Sequence, residues 1–255
     1  MVEAPTSTIS PDQRRDCVGA RAGKAFVETN ANPLMLIGLT DCSATLATAP
    51  PHRLIRCDGW AAIALEIAVP TDPDDAQILT WAAAQNEVLA AYIARHDVLP
   101  VAIGAAFSDR EAMNQHITVN QSAFAREAAG ILGCVEYALT LDPKPLSNTE
   151  TVFASGQNFL RSAKHRKQSL SHERAQFMRD VVAQTRCYAL KVIPERGNAS
   201  RLARVCALIP RASQDAFLAA MLGFAPRSHA LGLDCRLIGP SPAYSFVRGV
   251  PQEDG

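Results

Sequence analysis

Residues 96–113 read His-Asp-Val-Leu-Pro-Val-Ala-Ile-Gly-Ala-Ala-Phe-Ser-Asp-Arg-Glu-Ala-Met. The run at 98–103 is apolar and has the length of a strand. Pro100 has no backbone N–H to donate to a strand ladder, so we expect either an edge strand or a strand that begins at the proline. Gly104 can adopt a positive φ and turn the chain. Ser108 is a good N-cap, so the stretch predicts a helix end, a strand, a turn and a new helix.

The chain before this stretch predicts a small sheet followed by a helix. Short apolar runs bounded by Pro, Gly and Asp predict strands at residues 34–40, 53–57 and 60–69. Three aspartates at 72–75 then favour a helix start, because carboxylates stabilise the positive end of a helix. Apolar residues at helical spacing carry that helix to about His96, and a second helix is expected over 108–132. This half is therefore expected to be α+β, with its helices on one face of its sheet.

From Cys134 onward the expected order is strand, helix, strand, strand, helix, strand. The strands are predicted at 134–141, 186–193, 202–209 and 233–238, and the helices at about 149–184 and 213–222. Asp142, Pro143 and Pro145 indicate a linker after the first of these strands, and residues 194–198 indicate a turn. This order is that of the split βαβ, ferredoxin-like motif. The fold class expected for the whole chain is therefore α+β.

The amino-acid composition limits the classes of protein to which the chain can belong. The chain has 255 residues, 48% of them hydrophobic, which suffices for one large or two ordinary domains. Its 25 basic residues balance 25 acidic ones, so the overall charge favours neither nucleic acid nor an anionic membrane. Apolar stretches fall short of the ~20 residues that a membrane span needs. The seven cysteines form no Cys-x-x-Cys pair, which indicates buried thiols in a cytoplasmic protein.

Motifs for catalysis or cofactor binding are missing from the sequence. It contains no Gly-x-Gly-x-x-Gly, no Walker pattern and no Gly-x-Ser-x-Gly elbow. His165 and His172 lie seven residues apart on the predicted long helix, about two turns, which is too far to chelate one metal alone. We therefore expect no metal, no nucleotide or other cofactor, and no enzymatic activity.

The long helix carries a basic segment made of Arg161, Lys164, Arg166 and Lys167. Basic residues clustered on a helix can bind nucleic-acid phosphates, although Glu173 further along dilutes the charge. A solvated, ion-paired face and a surface for a protein partner are the other two interpretations. We take the four residues as candidate partner contacts.

Residues 239–247 read Gly-Pro-Ser-Pro-Ala-Tyr-Ser-Phe-Val. Gly239 can turn the chain, and Pro240 stiffens the segment after it. In an extended segment Tyr244 and Phe246 would point to the same side. Such a segment either packs back between two domains or presents its aromatic pair to a partner, and we expect it to pack back.

Three stretches resemble the gas vesicle protein GvpL/GvpF family, in that family's order. The first is a helix-ending His followed by Val-Leu-Pro-Val, an apolar residue, Gly and Phe, and the second is Gly-Gln-Asn-Phe-Leu-Arg at 156–161. The third, at 239–247, is similar to the family's Gly-Pro-Trp-Pro-Pro-Tyr-Ser-Phe. The residues that carry the structural signature are Pro100, Gly104, Gly239, Pro240, Tyr244 and Phe246. Departures from the family pattern, at Ile103, Thr140, Ser241 and Ala243, mark a divergent member.

The resemblance implies two α+β domains, the second a modified ferredoxin-like (βαββαβ) fold. We expect a mobile tail at 1–32, an N-terminal domain at 33–132, a C-terminal domain with the long helix at 133–248, and a short tail at 249–255. It also implies an accessory protein of gas vesicle formation, which provides buoyancy. Such a protein is cytoplasmic and vesicle-associated, and it binds the hydrophobic shell protein and other accessory proteins during nucleation and assembly, with no nucleic acid or membrane partner. A two-domain ferredoxin-like regulatory or nucleic-acid-binding protein is the alternative.

Overall fold

The computed structural model describes residues 33–45, 51–57, 59–67, 73–144, 156–196 and 203–247. The expected tails at 1–32 and 249–255 lie outside these residues. Two antiparallel sheets, one from each half of the chain, are combined with helices, which confirms the α+β class. The domain boundary expected between residues 132 and 133 stays a prediction.

The first sheet is built around a central strand, β1 (Leu34–Thr40), in which all seven residues are buried. The other strands are β2 (Arg53–Arg56), β3 (Ala61–Glu66), β4 (Val98–Pro100) and β5 (Ala106–Phe107). The strand order is β2-β3-β1-β4, with β5 also pairing with β1. The strand that holds Pro100 is at an edge of the sheet, which confirms the first of the two alternatives, and it ends rather than begins at the proline. An edge position tolerates proline because its outer side donates no ladder hydrogen bond. Gly104 turns the chain with a φ of 107°.

Helices cover both faces of this sheet, so the expectation of a single covered face is wrong. Helix α1 (Asp75–Ile93) packs Val88, Leu89 and Tyr92 against Met35 and Ile37 of β1. Helices α2 (Arg110–Val119) and α3 (Gln121–Ala129) pack against the alternate residues on the other face of β1. An unbroken apolar strand is buried on both faces, and each face needs a cover.

Residues 108–132 form two helices where the sequence predicted one. Asn120 ends α2 and precedes α3, and its side-chain amide donates to the His116 carbonyl at 2.9 Å. The N-cap of α2 is Asp109, because its carboxylate accepts from the Ala112 N–H at 2.9 Å. Ser108 instead donates its hydroxyl to that carboxylate. The Ala112 and Ser108 hydrogen bonds lower the pKa of Asp109.

The strands of the second sheet are β6 (Cys134–Pro143), β7 (Lys191–Arg196), β8 (Ala203–Pro210) and β9 (Leu233–Ser241). Their order is β7-β8-β6-β9, and the sheet is antiparallel throughout. Its helices are α4 (Gly156–Arg186), α5 (Gln214–Leu222) and α6 (Ala225–Ala230). The first and second strands of this half are separated by the third, which is the split arrangement that the sequence predicted.

Two prolines lie inside strands where the sequence predicted connections. Pro143 ends β6 and pairs with Leu233, so Asp142 and Pro143 are not a linker. Pro194 lies in β7 and pairs with Val205, so the predicted turn does not begin there. Arg186 belongs to α4, and the predicted strand at 186–193 begins only at Lys191. Both prolines are tolerated because one ends its strand and the other lies on an edge strand.

Asp97 and Arg211 join the two halves of the chain. The Asp97 carboxylate accepts from the Gly133 N–H at 3.0 Å and from Arg211 Nε at 3.3 Å. Arg211 Nη2 also donates to the His96 carbonyl at 2.9 Å. The start of the 96–113 stretch is therefore held against the second half of the chain.

We expect Asp97→Ala to lower the free energy of unfolding by about 1 kcal/mol, because two hydrogen bonds are lost at a site where solvent still screens the ion pair. The urea midpoint measures this. Arg95→Ala is the control, since Arg95 is exposed close by in the sequence and its replacement should leave the midpoint unchanged. Equal midpoints for both variants would show that this joint contributes nothing to stability.

Candidate partner-binding surfaces

The carboxy-terminal segment docks onto the protein, and its conformation differs from the one expected. Strand β9 includes Gly239 and Pro240, and a 3-10 turn comes after it at Tyr244–Phe246. Side chains two residues apart in a turn of three residues point in different directions. The expected extended segment, with both rings on one side, is therefore wrong.

The two aromatic rings of this segment have different surroundings. Phe246 is partly buried and packs on the apolar cluster that contains Leu208, Ala243 and residues of the first half. Tyr244 is 38% exposed and borders a cavity of about 350 Å³ beside Gln85 of α1. The pKa of the Tyr244 hydroxyl is raised far above its usual value. Burial is the larger cause, and the nearby Glu136 carboxylate is the smaller one. Phe246 is the ring that belongs to the protein's own core.

A buried carboxylate holds this segment in place. Glu136 of β6 is 3% exposed and accepts from the Ser245 N–H at 2.8 Å and from the Ser245 hydroxyl at 2.6 Å. Its backbone carbonyl accepts from the Ser241 hydroxyl at 3.2 Å. This role of Glu136 was not predicted from the sequence. The signal was a glutamate inside an otherwise apolar strand, since a buried charge needs hydrogen-bond partners.

The basic residues singled out in the sequence lie on α4. Lys164 is exposed, whereas the side chains of Arg161, Arg166 and Lys167 fall outside those that the structure describes. Further along α4, Arg174 donates to the carbonyls of Leu231 and Gly232 at 3.0 and 3.1 Å. That arginine therefore stabilises the end of α6 and is not free to bind a phosphate.

A second charge on α4 is also used within the fold. Asp180 pairs with Arg227 of α6 at 2.5 Å, and this hydrogen bond is the main cause of the lowered pKa of Asp180. The Arg227 guanidinium also lies 5.5 Å from the centre of the Phe177 ring. The flank of α4 that faces α6 is therefore an ion-paired internal contact.

Metal-ligating side chains lie apart from one another in the described ranges. Among those residues no cluster of three or more His, Cys, Asp or Glu could hold a metal ion. His165 and His172 are both exposed on α4. In the same ranges, no helix is long and apolar enough to cross a membrane.

The expectation of buried thiols is correct only in part. Cys206 is buried, and burial is the main cause that raises the pKa of its thiol. Cys42 and Cys187 are exposed. Their exposure results from position, because one lies in the turn after β1 and the other just beyond the end of α4.

A protein family and two solved structures share this fold. Residues 40–248 match the model of the family described as gas vesicle synthesis protein GvpL/GvpF. The crystal structure of the gas vesicle protein GvpF from Anabaena sp. PCC7120 superposes with a TM-score of 0.63 at 12% identity, covering 87% of this chain and 100% of that one. GvpF from Microcystis aeruginosa gives 0.60 at 13% identity, covering 86% and 100%.

No curated protein sequence matches the chain. At these identities the two crystal structures establish the fold, and the family model, which spans most of the chain, establishes the relationship. The chain belongs to the GvpL/GvpF family of gas vesicle synthesis proteins.

Proposed function

We propose that this chain is an accessory protein of gas vesicle formation, which binds the hydrophobic shell protein and other accessory proteins during nucleation and assembly. The observation that carries the proposal is the family match over residues 40–248. The protein works by binding rather than by catalysis, in the cytoplasm and on the growing vesicle. The basic residues Arg161, Lys164, Arg166 and Lys167 are proposed as contacts to these partners.

The physical need for such a protein is simple. A strongly apolar shell subunit exposes surface that aggregates before assembly, so a second protein that covers this surface keeps the subunit competent to assemble. Several large apolar side chains of this chain are themselves exposed and available for such contacts. They are Leu79, Val119, Leu132, Leu190, Leu222 and Ile238.

We expect deletion of the gene in its gas-vesicle-forming host to abolish or malform the vesicles. Phase-contrast and electron microscopy of the cells provide the measurement, and the same gene restored on a plasmid is the control. Refractile, buoyant cells with normal vesicles after a clean deletion would contradict the proposal.

The alternative, a two-domain ferredoxin-like regulatory or nucleic-acid-binding protein, has less support. The observation that favours this alternative is the basic segment of α4, in which Lys164 is exposed. Arg174 on the same helix is committed to backbone carbonyls, and Asp180 contributes opposite charge. Because one of its arginines is already bound and an acidic residue lies among the basic ones, this helix makes a poor phosphate-binding surface.

A further inference from the structure

The described residues leave a groove open along one flank of α4. The groove measures about 820 Å³ and runs along the helix over residues 170–186. Its floor is formed by the half-buried side chains of Met178 and Val182 and the exposed side chains of Ala175 and Ala183. We refer to this surface as the α4 groove.

The α4 groove borders the face with which α4 packs on its own sheet. Phe177 and Val181 are completely buried in the core, and Thr185 is 2% exposed. Several groove residues follow one of these three buried residues by one or two positions. Each residue of a helix is turned by about 100° from the one before it, so these groove residues lie roughly 100–200° around the helix from the buried ones. Met178 and Val182 are partly buried and pack against the edge of this core, and the rest of their surface, together with Ala175 and Ala183, lines the groove.

Small side chains make the α4 groove accessible to another helix. Ser171 and Ala175 are four residues apart, and Ala183 lies two further turns along the same face, all of them exposed. Residues at such spacing share one face of a helix, and short side chains there permit an interaxial distance near the lower end of the usual ~8–10 Å. The shape of the groove therefore suits a helix that lies along α4.

The charge along the α4 groove has one sign. Arg174, Arg179 and Arg186 line it, and none of its described lining residues is a carboxylate. Arg179 donates to the neutral Gln176 side chain, at 2.6 Å from Nη2 and 3.2 Å from Nε. In the part of the chain that the structure describes, neither Arg179 nor Arg186 forms an ion pair.

Asp180, an acidic residue of α4 close to this groove in the sequence, is held on the other flank of the helix. Asp180 comes directly after Arg179 and interacts with it electrostatically, but its carboxylate accepts hydrogen bonds from Arg227 of α6 and from Gln176. An occupant of the groove would therefore meet an apolar stripe bordered by two guanidinium groups without a carboxylate of the groove's own. Guanidinium groups bind carboxylates with paired hydrogen bonds.

We propose that the α4 groove binds an amphipathic helix of a partner protein, one whose apolar stripe is bordered by carboxylates. The choice of occupant rests on charge complementarity, since leucine-sized side chains match Met178 and Val182 while glutamates match Arg179 and Arg186. The inference rests on the proposed function for the identity of the partner, which would be the shell protein or another accessory protein. The binding mode itself does not depend on that identity.

The first test uses the full chain and two designed helical peptides, labelled for fluorescence anisotropy. Each peptide has about 18 residues, the length needed to span the groove at about 1.5 Å per residue. Both carry leucines at helical spacing, one with glutamates beside them and the other with lysines at the same positions. The glutamate peptide is expected to bind at least about tenfold more tightly, and the preference should weaken as salt is added.

Two kinds of variant identify the surface. Arg179→Gln with Arg186→Gln should reduce binding of the glutamate peptide by about tenfold or more, which corresponds to the loss of two charge-assisted contacts. Ala175→Trp leaves the charge unchanged, fills the groove from an exposed position, and should also abolish binding. Arg95→Gln with Arg126→Gln is the matched control, because both arginines are exposed on the first half of the chain, and it should bind like the wild type.

Three outcomes would overturn the inference. They are equal affinity for the two peptides, unchanged affinity of the double arginine variant, and binding that survives Ala175→Trp. Preference for duplex DNA over the glutamate peptide, lost in the double arginine variant, would instead identify the groove as a nucleic-acid surface and equally overturn it.

A cellular test separates this inference from the proposed function. The deletion strain is complemented with the Ala175→Trp gene, and vesicles are examined by electron microscopy. Malformed vesicles alongside normal amounts of the variant support the inference, whereas normal vesicles contradict it and leave the proposed function intact. A deletion without any effect on vesicles would refute the proposed function, and the peptide measurements would still decide how the groove binds.

Discussion

Gly239→Ala is expected to lower the free energy of unfolding by about 3 kcal/mol or more, because backbone strain and overpacking act together at this position. Gly239 has a φ of 140°, which L side chains rarely adopt. A Cβ atom here would lie 2.7 Å from Tyr137 Cδ1 and 2.8 Å from the Glu136 carbonyl oxygen. Neither neighbour can easily move away, since the Tyr137 ring is 2% exposed and packs on Phe217 with ring centres 5.3 Å apart.

Gly104→Ala is the matched control for this prediction. Gly104 also has a positive φ, of 107°, but a Cβ atom there would have no neighbour within 4 Å. It should therefore show only the strain of the backbone, about 1–2 kcal/mol. Urea denaturation of both variants measures the difference, and equal losses would show that the contacts with Tyr137 and Glu136 are not the reason why position 239 requires glycine.

The strands of both sheets are largely predictable from local sequence. Runs of mostly apolar residues locate β1 and β6 because a central strand is largely buried, and this pattern is visible in one sequence. The order of elements from Cys134 onward is sufficient to predict the split βαβ arrangement. The covering of both sheet faces by α1 on one side and α2 with α3 on the other depends on three-dimensional packing between distant segments.

Helix ends and prolines were predicted less well, for local physical reasons. A carboxylate at Asp109 accepts a backbone N–H more strongly than the neighbouring Ser108 hydroxyl, so the cap moved by one residue. Asn120 interrupts a helix because its amide competes for a backbone carbonyl of the preceding turn. Pro194 is permitted in a strand only because β7 is at an edge, which local sequence does not reveal.

The candidate surfaces, too, can be predicted from the sequence only in part. Composition identifies α4 as basic, but only the structure separates Arg174, which caps α6, from Arg179 and Arg186, which line the α4 groove. Glu136 is conspicuous in its strand, yet its partner Ser245 is 109 residues away in the chain. The carboxy-terminal segment could be recognised by its resemblance to the family pattern. That pattern did not predict that Tyr244–Phe246 forms a 3-10 turn.

The double variant Tyr244→Ala with Phe246→Ala is expected to lower the free energy of unfolding by over about 2 kcal/mol, in the usual range for large-to-small changes in a core. Phe246 should account for most of this loss. It packs on the apolar cluster shared by both halves of the chain, whereas Tyr244 is 38% exposed and contributes less burial. The urea midpoints of the two single variants and the double variant measure the partition.

The hydrogen bonds from Ser245 to Glu136 make this prediction specific to the docked segment. Loss of Phe246 should loosen the 3-10 turn and leave the Glu136 carboxylate with weaker partners, so the two effects are coupled rather than additive. Ser245→Ala combined with Phe246→Ala should therefore destabilise by less than the sum of the single changes. If the double aromatic variant instead kept the wild-type midpoint but failed to capture the shell protein, the rings would serve the partner, and the docked segment would be a binding surface rather than part of the core.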